Sequence, residues 1–266
     1  MNISLFSAKL FNRFISFIRI KSFILRFFKL FFPKDNPIQD PDKDKKFLKL
    51  IDETQNFGEI DFSYLCLGLF SSSLQNHGFI HQRIDEASFL WSMVKRSKGK
   101  ILEVGRAAGG STTLILGSSG TRKVVSIDRD PRHLSIAKHF FERKDIRDRL
   151  KLFNQSSRKP INIDQYGFLF IDGDHSYEGV CYDIATFWNQ LVIDSIIVFH
   201  DAQINPISYV PQVKKAVDEL IENKSAVKIS SWGSQLAVKK LKNIEQKTWY
   251  KKIDENFWKK NNSTLQ

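Results

Sequence analysis

Residues 100–116 read KILEVGRAAGGSTTLIL, and this run decides the predicted fold. The apolar residues 101–104 predict a buried strand. Gly105 and Gly109 mark a turn, and residues 111–116 are typical of the start of a helix. Glycine suits the turn because a missing Cβ lets the backbone bend sharply and lie against a ligand, while free N–H groups of the new helix face it. The run therefore predicts the first unit of a parallel α/β sheet that binds a nucleotide-like ligand.

The spacing of the glycines narrows the choice of ligand. It is Gly-x-x-x-Gly-Gly and lacks the Gly-x-Gly-x-x-Gly of a dinucleotide site, so a pyrophosphate is not the favoured ligand. The string from Glu103 to Ser111 resembles motif I of the class I S-adenosylmethionine-dependent methyltransferases, in which the turn holds the methionine end of the cofactor. The resemblance implies that S-adenosylmethionine is bound by Glu103, Gly105, Gly109 and Ser111. The alternative is an ordinary strand-to-helix turn of another α/β protein.

A second predicted strand, residues 123–128, ends in a carboxylate. Asp128 follows Gly105 by 23 residues, near the interval at which α/β nucleotide folds place an acid on the ribose hydroxyls. A carboxylate can accept two hydrogen bonds from a diol, so we predict that Asp128 binds the ribose; the alternative is a helix cap. Residues 150–153 predict a third strand, and residues 154–156 are candidates for adenine-edge contacts by position alone.

The stretch GFLFIDGDHSYEGV, residues 167–180, combines a fourth strand with ionisable groups. The apolar residues 168–171 predict the strand, which leads directly to the side chains of Asp172, Asp174 and His175. Three such groups would be costly in a core, and open parallel sheets gather their chemistry at this end of a strand, so we predict a functional site. The segment IDGDHSYEGV resembles a methyltransferase subfamily that includes O-methyltransferases of the macrocin type and the cephalosporin-hydroxylase-associated proteins.

A fifth predicted strand, within SIIVFHD at residues 195–201, delivers His200 and Asp201 to the same sheet edge. The resemblance to metal-dependent relatives implies that a divalent ion, Mg²⁺ or Mn²⁺, is bound by Asp172, His200 and Asp201. His200 stands where relatives commonly have an oxygen ligand, and imidazole suits Mn²⁺, Fe²⁺ or Zn²⁺ better than Mg²⁺. The alternative is a metal-free site in which these groups bind substrate.

The expected chemistry assigns roles to the same side chains. Methyl transfer from a sulfonium is an in-line displacement, so the protein must hold donor and acceptor together and remove the acceptor proton. His175 is the candidate base because an unperturbed imidazole titrates near pH ~6.5. His200 is the competing base, and a metal ion at Asp172 and Asp201 would instead acidify a hydroxyl. Asp172 thus belongs to the catalytic, the cofactor-binding and the metal-binding predictions.

The net charge of +12 is concentrated at the N-terminus. Residues 1–34 hold seven basic residues and no acid, and subtracting these leaves +5 on the rest of the chain. Because that charge is modest and no basic-aromatic surface is evident, a nucleic acid is not an expected partner. Cys66 and Cys181 lie far apart in apolar surroundings, which indicates free thiols in a reducing compartment, the cytoplasm.

Residues 1–34 also contain nine phenylalanines. The polar residues of this segment recur every three or four positions. This pattern predicts a basic amphipathic helix, which suits an anionic membrane surface such as the inner membrane face. The alternatives are packing on the body or on a partner subunit, and a transit peptide. A membrane span and a cleavable signal peptide are not expected, because basic residues interrupt every apolar run. Residues 35–46 form a charged linker, and residues 242–266 form a lysine-rich tail.

The rest of the pattern completes one domain at residues 47–241, with a helical lead-in to about residue 99. Residues 177–191 and 211–222 predict helices, and residues 226–239 predict a closing hairpin. The expected fold is a Rossmann-like α/β domain with a mostly parallel seven-stranded sheet and helices on both faces. The seventh, antiparallel strand is implied by the resemblance, since spacing alone shows only a terminal hairpin.

These features together predict an S-adenosylmethionine-dependent O-methyltransferase that acts on a hydroxyl of a small molecule. The candidate acceptors are a sugar and a lipid-linked glycan, and a membrane-bound N-terminal helix would favour a lipid-associated acceptor. Two alternatives stay open: a metal-dependent oxygenase on the same scaffold, and a non-catalytic membrane-associated module. The sequence leaves open the acceptor, the metal and the oligomeric state, including a homo-oligomer.

Overall fold

The structure, a computed structural model, describes residues 80–130, 135–159, 161, 165–203 and 210–253. The predicted N-terminal helix, the linker, most of the helical lead-in and Cys66 lie outside these ranges. Within them, no helix combines the length and the apolar character that a membrane crossing requires.

A seven-stranded sheet forms the centre of the fold, in the order β3-β2-β1-β4-β5-β7-β6. The strands are β1 (Ile101–Val104), β2 (Val124–Asp128), β3 (Leu150–Asn154), β4 (Tyr166–Ile171), β5 (Leu191–Phe199), β6 (Ala226–Trp232) and β7 (Gln235–Lys240). The first five strands are parallel to their neighbours, whereas β7 pairs antiparallel with β5, and β6 with β7. The predicted Rossmann-like sheet with an antiparallel hairpin at its C-terminal end is confirmed.

Helices cover both faces of the sheet. One face is packed by α1 (Ile84–Arg96), α2 (Gly110–Ser118), α3 (Ser135–Glu142) and α4 (Lys144–Arg147). The other face is packed by α5 (Tyr177–Phe187), α6 (Pro211–Glu222) and α7 (Gln246–Tyr250). In β1, Ile101 faces the first layer and Leu102 the second, and both are fully buried, as expected for a central parallel strand covered on both sides.

Local sequence sets where α5 and α6, the helices that follow β4 and β5, begin. Ser176 precedes α5, and its hydroxyl accepts the N–H of Gly179 at 3.0 Å. Pro211 lies in the first turn of α6, where its missing N–H costs no helical hydrogen bond. These two helix starts fix the ends of the loops that follow β4 and β5.

The helix predicted over residues 177–191 is shorter than expected. It ends at Phe187, a 3₁₀ turn covers Trp188–Gln190, and β5 begins at Leu191. Neither glycine nor proline ends the helix here; instead the buried Lys240 ammonium of β7 donates to the carbonyl oxygens of Trp188 and Leu191. A contact between residues about 50 positions apart therefore sets this boundary, and local sequence patterns do not show it.

The beginning of the lysine-rich tail packs on the body. Trp249 and Ile253 are 2% and 6% exposed and belong to the core beneath α5 and α6. The side chain of Asn189 holds the chain before α7, accepting the N–H of Ile244 at 3.0 Å and donating to its carbonyl at 2.9 Å. The tail up to Ile253 is therefore part of the folded domain.

We expect Trp249→Ala to lower the free energy of unfolding by about 3 kcal/mol, since truncating a buried tryptophan costs about 3–5 kcal/mol. Urea denaturation measures the change. Lys251 is exposed on the same segment, so Lys251→Ala is the control and should change the value by less than about 0.5 kcal/mol. Equal stability of Trp249→Ala and wild type would show that the tail contributes nothing to the core.

Candidate active site

The turn after β1 lies directly against the turn after β4. Gly105 has a φ of 91°, and a Cβ at this position would overlap the carbonyl oxygen of Asp172. The Asp172 N–H donates to the carbonyl of Val104 at 2.8 Å, which closes the two strand ends on each other. Only glycine permits this approach, so the turn predicted to hold the cofactor and the predicted ionisable cluster are neighbours.

Gly109 begins α2 without a side-chain cap. Its φ is 96°, and a Cβ there would lie 2.8 Å from the Cβ of Ala137 in α3. Glycine is again required, by both backbone conformation and packing. Because no side chain caps the helix, its first N–H groups stay available to a ligand at the sheet edge.

Glu103 lies inside the body, below the turn. Its carboxylate is fully buried and accepts the hydroxyls of Ser111, Thr112 and Ser126 at 2.5–2.6 Å. Burial raises the pKa of this carboxyl, against the opposite effect of the three hydroxyls and of Arg106. The contacts join β1, β2 and the start of α2, so we infer that Glu103 and Ser111 serve the cofactor site through the turn that they hold.

Asp128, the predicted ribose ligand, also holds the glycine turn. Its Oδ2 accepts the backbone N–H groups of Arg106 and Ala107, each at 2.7 Å. Its Oδ1 accepts the N–H of Asp130 at 2.7 Å. Two carboxylate oxygens offer about four acceptor positions, so Asp128 keeps room for a ligand hydroxyl beside the turn.

Arg106 was missed by the sequence analysis. Arg106 is 1% exposed, and its side chain runs from the glycine turn past Ser126 in the middle of β2 to Asn154 at the end of β3. The only available signal was a single charged residue inside an otherwise small and apolar turn, which by itself predicts no contact.

The ends of β4 and β5 bring four predicted side chains together. His175 places Nε2 3.1 Å from Asp172 Oδ1 and Nδ1 3.2 Å from Asp201 Oδ2. His200 places Nδ1 3.2 Å from Asp172 Oδ1 and 3.3 Å from Asp201 Oδ1. Each imidazole therefore lies between two carboxylates. We refer to Asp172, His175, His200 and Asp201 as the His–Asp cluster.

Asp174, grouped with these residues by sequence, lies apart from them. Its Oδ2 pairs with Arg158 at 2.9 Å, and its Oδ1 accepts the N–H of Ser176. In its place the structure adds Gln82, a residue from the lead-in that sequence gave no reason to choose. Gln82 is 1% exposed, and its Nε2 lies 3.4 Å from Asp172 Oδ2.

The His–Asp cluster shifts the protonation of its members. Burial disfavours ionisation of Asp172, but the two imidazoles outweigh it and lower its pKa to about 2. Burial likewise disfavours a charged His175, but Asp172 and Asp201 outweigh it and raise its pKa to about 9. The same carboxylates raise the pKa of His200 well above 6.5, also against burial. In the metal-free cluster the charged form of both imidazoles is therefore favoured, whereas an unperturbed base was expected.

The donor atoms of the His–Asp cluster fit a divalent metal ion. Asp172, His175 and His200 each offer one ligand atom, and these atoms lie within 4.8 Å of one another. Both ring nitrogens of His200 are buried and form no well-aligned hydrogen bond within the described residues. Imidazole nitrogen beside carboxylate oxygen favours Mn²⁺, Fe²⁺ or Zn²⁺ over Mg²⁺, which prefers oxygen alone.

Comparison with known proteins agrees with this geometry. Residues 102–202 match a protein-family model described as a methyltransferase domain. This range begins in β1 and includes the glycine turn, Asp128 and the whole His–Asp cluster. No curated protein shows significant sequence similarity to the chain.

Solved structures share the fold. Cofactor-bound Rv0187 from MTB is 14% identical, with 79% of this chain and 100% of that chain covered and a TM-score of 0.50. The O-methyltransferase from Bacillus cereus in complex with SAH is 15% identical, with 86% and 96% covered and a TM-score of 0.46. SAH-bound PaMTH1, a methyltransferase from Podospora anserina, is 15% identical, with 74% and 88% covered and a TM-score of 0.48. At such identities the likeness concerns the fold.

The family match covers the part of the chain in which the glycine turn, the β2 carboxylate and the His–Asp cluster share one sheet edge. The sheet around them has the mostly parallel order with an antiparallel final hairpin that the motif-based resemblance implied. Residues 102–202 of the chain therefore match a methyltransferase domain, and they lie within a Rossmann-like sheet.

Proposed function

We propose that the enzyme methylates a hydroxyl group of a small molecule, with a sugar or a lipid-linked glycan as the acceptor class. The observation that carries the proposal is the position of the His–Asp cluster. Asp172 touches the backbone of Gly105, so groups that can accept a proton or hold a metal lie beside the predicted cofactor turn. Methylation of a hydroxyl needs such groups because the acceptor oxygen must lose its proton.

The cofactor site is proposed to follow the edge of the sheet from β4 to β2. The uncapped start of α2 and the backbone at Gly105 and Gly109 fit a ligand that packs against main chain. Asp128 retains about one acceptor position, on Oδ1, for a ribose hydroxyl. The bound cofactor supplies an electrophilic methyl group on a sulfonium, and the chain's task is to place the acceptor in line with it.

His175 is the proposed base. Its side chain is 32% exposed, compared with 13% for His200, so an acceptor can reach it more readily. In the metal-free cluster a pKa of about 9 keeps His175 protonated at pH 7, and it can accept a proton only as the pH rises toward that value. His200, more buried between the same carboxylates, remains the competing base.

A divalent ion is proposed to be held by Asp172, His200 and Asp201, where it would acidify the acceptor hydroxyl as a Lewis acid. The Nδ1 atom of His200 lies within 3.3 Å of both carboxylates, which supports this set. The ligand atoms of Asp172, His175 and His200 lie within 4.8 Å of one another, so His175 is the alternative third ligand in place of Asp201. The two roles of His175 exclude each other, because a nitrogen bound to metal cannot accept a proton.

The set formed by Asp172, His175 and His200 favours one second candidate function. Two histidines and one carboxylate, as in Asp172, His175 and His200, form the donor set of non-haem iron oxygenases. Iron-dependent oxygen consumption without consumption of the methyl donor would mark that activity.

The ribose assignment predicts that Asp128→Ala weakens binding of S-adenosylmethionine at least about tenfold, since a hydrogen bond to a charged group contributes about 1.5–3 kcal/mol. Isothermal titration calorimetry measures the affinity. Asp148→Ala, which removes an exposed acid distant from the turn, is the control and should bind as wild type. An unchanged affinity of Asp128→Ala would refute the assignment.

The base assignment predicts that the His175 imidazole titrates near pH 9 in the metal-free protein, because two carboxylates stabilise its charged form. NMR of the histidine ring Cε1–H groups, assigned with His175→Ala, follows the titration. Asp201→Asn removes one negative charge and should move the midpoint to lower pH. A midpoint near pH 6.5 in wild type would contradict the proposed electrostatics.

The metal assignment predicts that Asp172→Ala and Asp201→Ala each weaken Mn²⁺ binding at least about tenfold, whereas His175→Ala keeps it within about threefold. Calorimetric titration with Mn²⁺ provides the measurement. Asp174→Ala, an acid outside the cluster, is the control. Loss of Mn²⁺ binding in His175→Ala, with binding kept in Asp201→Ala, would make His175 a ligand and exclude it as the base.

A further inference from the structure

The buried Arg106 guanidinium has a defined set of partners. Its Nη1 donates to the carbonyl oxygen of Ser126 at 3.0 Å and to the Ser126 hydroxyl at 3.3 Å. Its Nη2 donates to Oδ1 of Asn154 at 2.7 Å. Burying a guanidinium is costly unless charges and hydrogen bonds compensate it, and here the carboxylates of Glu103 and Asp128 lie close enough to do so. This arrangement makes the far end of Arg106 a fixed point at the end of β3.

The contact determines how the Asn154 amide is turned. A guanidinium carries donors only, so the atom of Asn154 that faces it must be the carbonyl oxygen. The amide nitrogen, with its two N–H donors, is therefore directed away from Arg106. Asn154 is exposed, and it pairs in register with Asp128 across β2 and β3. The two N–H donors of the Asn154 amide therefore lie at the sheet edge next to Asp128, the residue proposed to bind the ribose.

The order of the strands places the adenine of the cofactor near these donors. This step rests on the proposed function, in which the methionine end lies at the β1 turn and the ribose at Asp128 on β2. A cofactor that runs from β1 to β2 continues outward to β3, because the sheet order is β3-β2-β1. The adenine ring then lies at the end of β3, where Asn154 is located.

We propose that Arg106 is a positioning residue that holds the Asn154 amide so that it donates a hydrogen bond to N1 of adenine. Adenine N1 is an acceptor, whereas N1 of hypoxanthine carries a hydrogen and is a donor. A held N–H donor therefore favours adenine and opposes hypoxanthine, since a donor facing a donor leaves both unpaired. Arg106 in this way confers selectivity for the base without touching the ligand.

The test compares two ligands of the full-length protein by calorimetry: S-adenosylhomocysteine and its deaminated analogue S-inosylhomocysteine. Wild type should bind the adenine form at least about tenfold more tightly. Arg106→Met and Asn154→Ala should both reduce this ratio to near one. Arg106→Lys keeps a donor at the same place and should retain part of it. Asn154→Asp presents only acceptors and should reverse the preference in favour of the hypoxanthine form.

The ratio of the two affinities separates a positioning role from a merely structural one, because general damage to the site weakens the binding of both ligands alike. Asn154 is exposed, so its variants keep the question answerable even if Arg106→Met does not fold. A wild-type ratio near one, or an unchanged ratio in Asn154→Ala, would overturn the inference while leaving the methyltransferase assignment intact. Failure of wild type to bind S-adenosylhomocysteine at all would instead count against the proposed cofactor site, and with it this inference.

Discussion

The contact between the backbone at Gly105 and the carbonyl of Asp172 is the constraint on which the site depends. Any side chain at Gly105 would separate the turn after β1 from the turn after β4. With glycine there, the strand ends close on each other, and the groups predicted to bind the methyl donor lie next to the groups predicted to act on the acceptor. Proximity of the two reactants, the main requirement of an in-line transfer, is thus set by main-chain packing.

Two acids, the buried Glu103 and the half-buried Asp128, keep the turn in shape. The Glu103 carboxylate accepts hydrogen bonds from three hydroxyls of neighbouring elements. Asp128 accepts hydrogen bonds from two consecutive N–H groups of the turn itself. Carboxylates suit this task because one group can accept several hydrogen bonds at once. The glycines thereby gain a fixed shape that their own flexibility would not provide.

The fold was predictable from sequence because its signals are local. Each parallel strand is a short apolar run, and the residues that end these runs, such as Gly105, Asp128 and Asp172, meet at one edge by the rules of parallel sheets. The contacts that the sequence did not predict join residues that are distant in the chain. Arg106 meets Asn154, Gln82 meets Asp172, and Lys240 ends a helix more than 50 residues earlier. The raised pKa of His175 was also not predicted, because sequence places Asp201 at the same sheet edge without showing that the imidazole lies within 3.2 Å of two carboxylates.

The packing of α7 has a consequence for how the chain reaches its folded state. Trp249 and Ile253 belong to the core on the α5 and α6 side of the sheet, and they follow every strand in the chain. Until they emerge, the apolar surface that they cover is open to water and to other chains. The domain is therefore completed only after residue 253 has left the ribosome. A fusion partner or truncation placed before residue 246 would interrupt the core itself, although the sheet and every residue of the active site precede it.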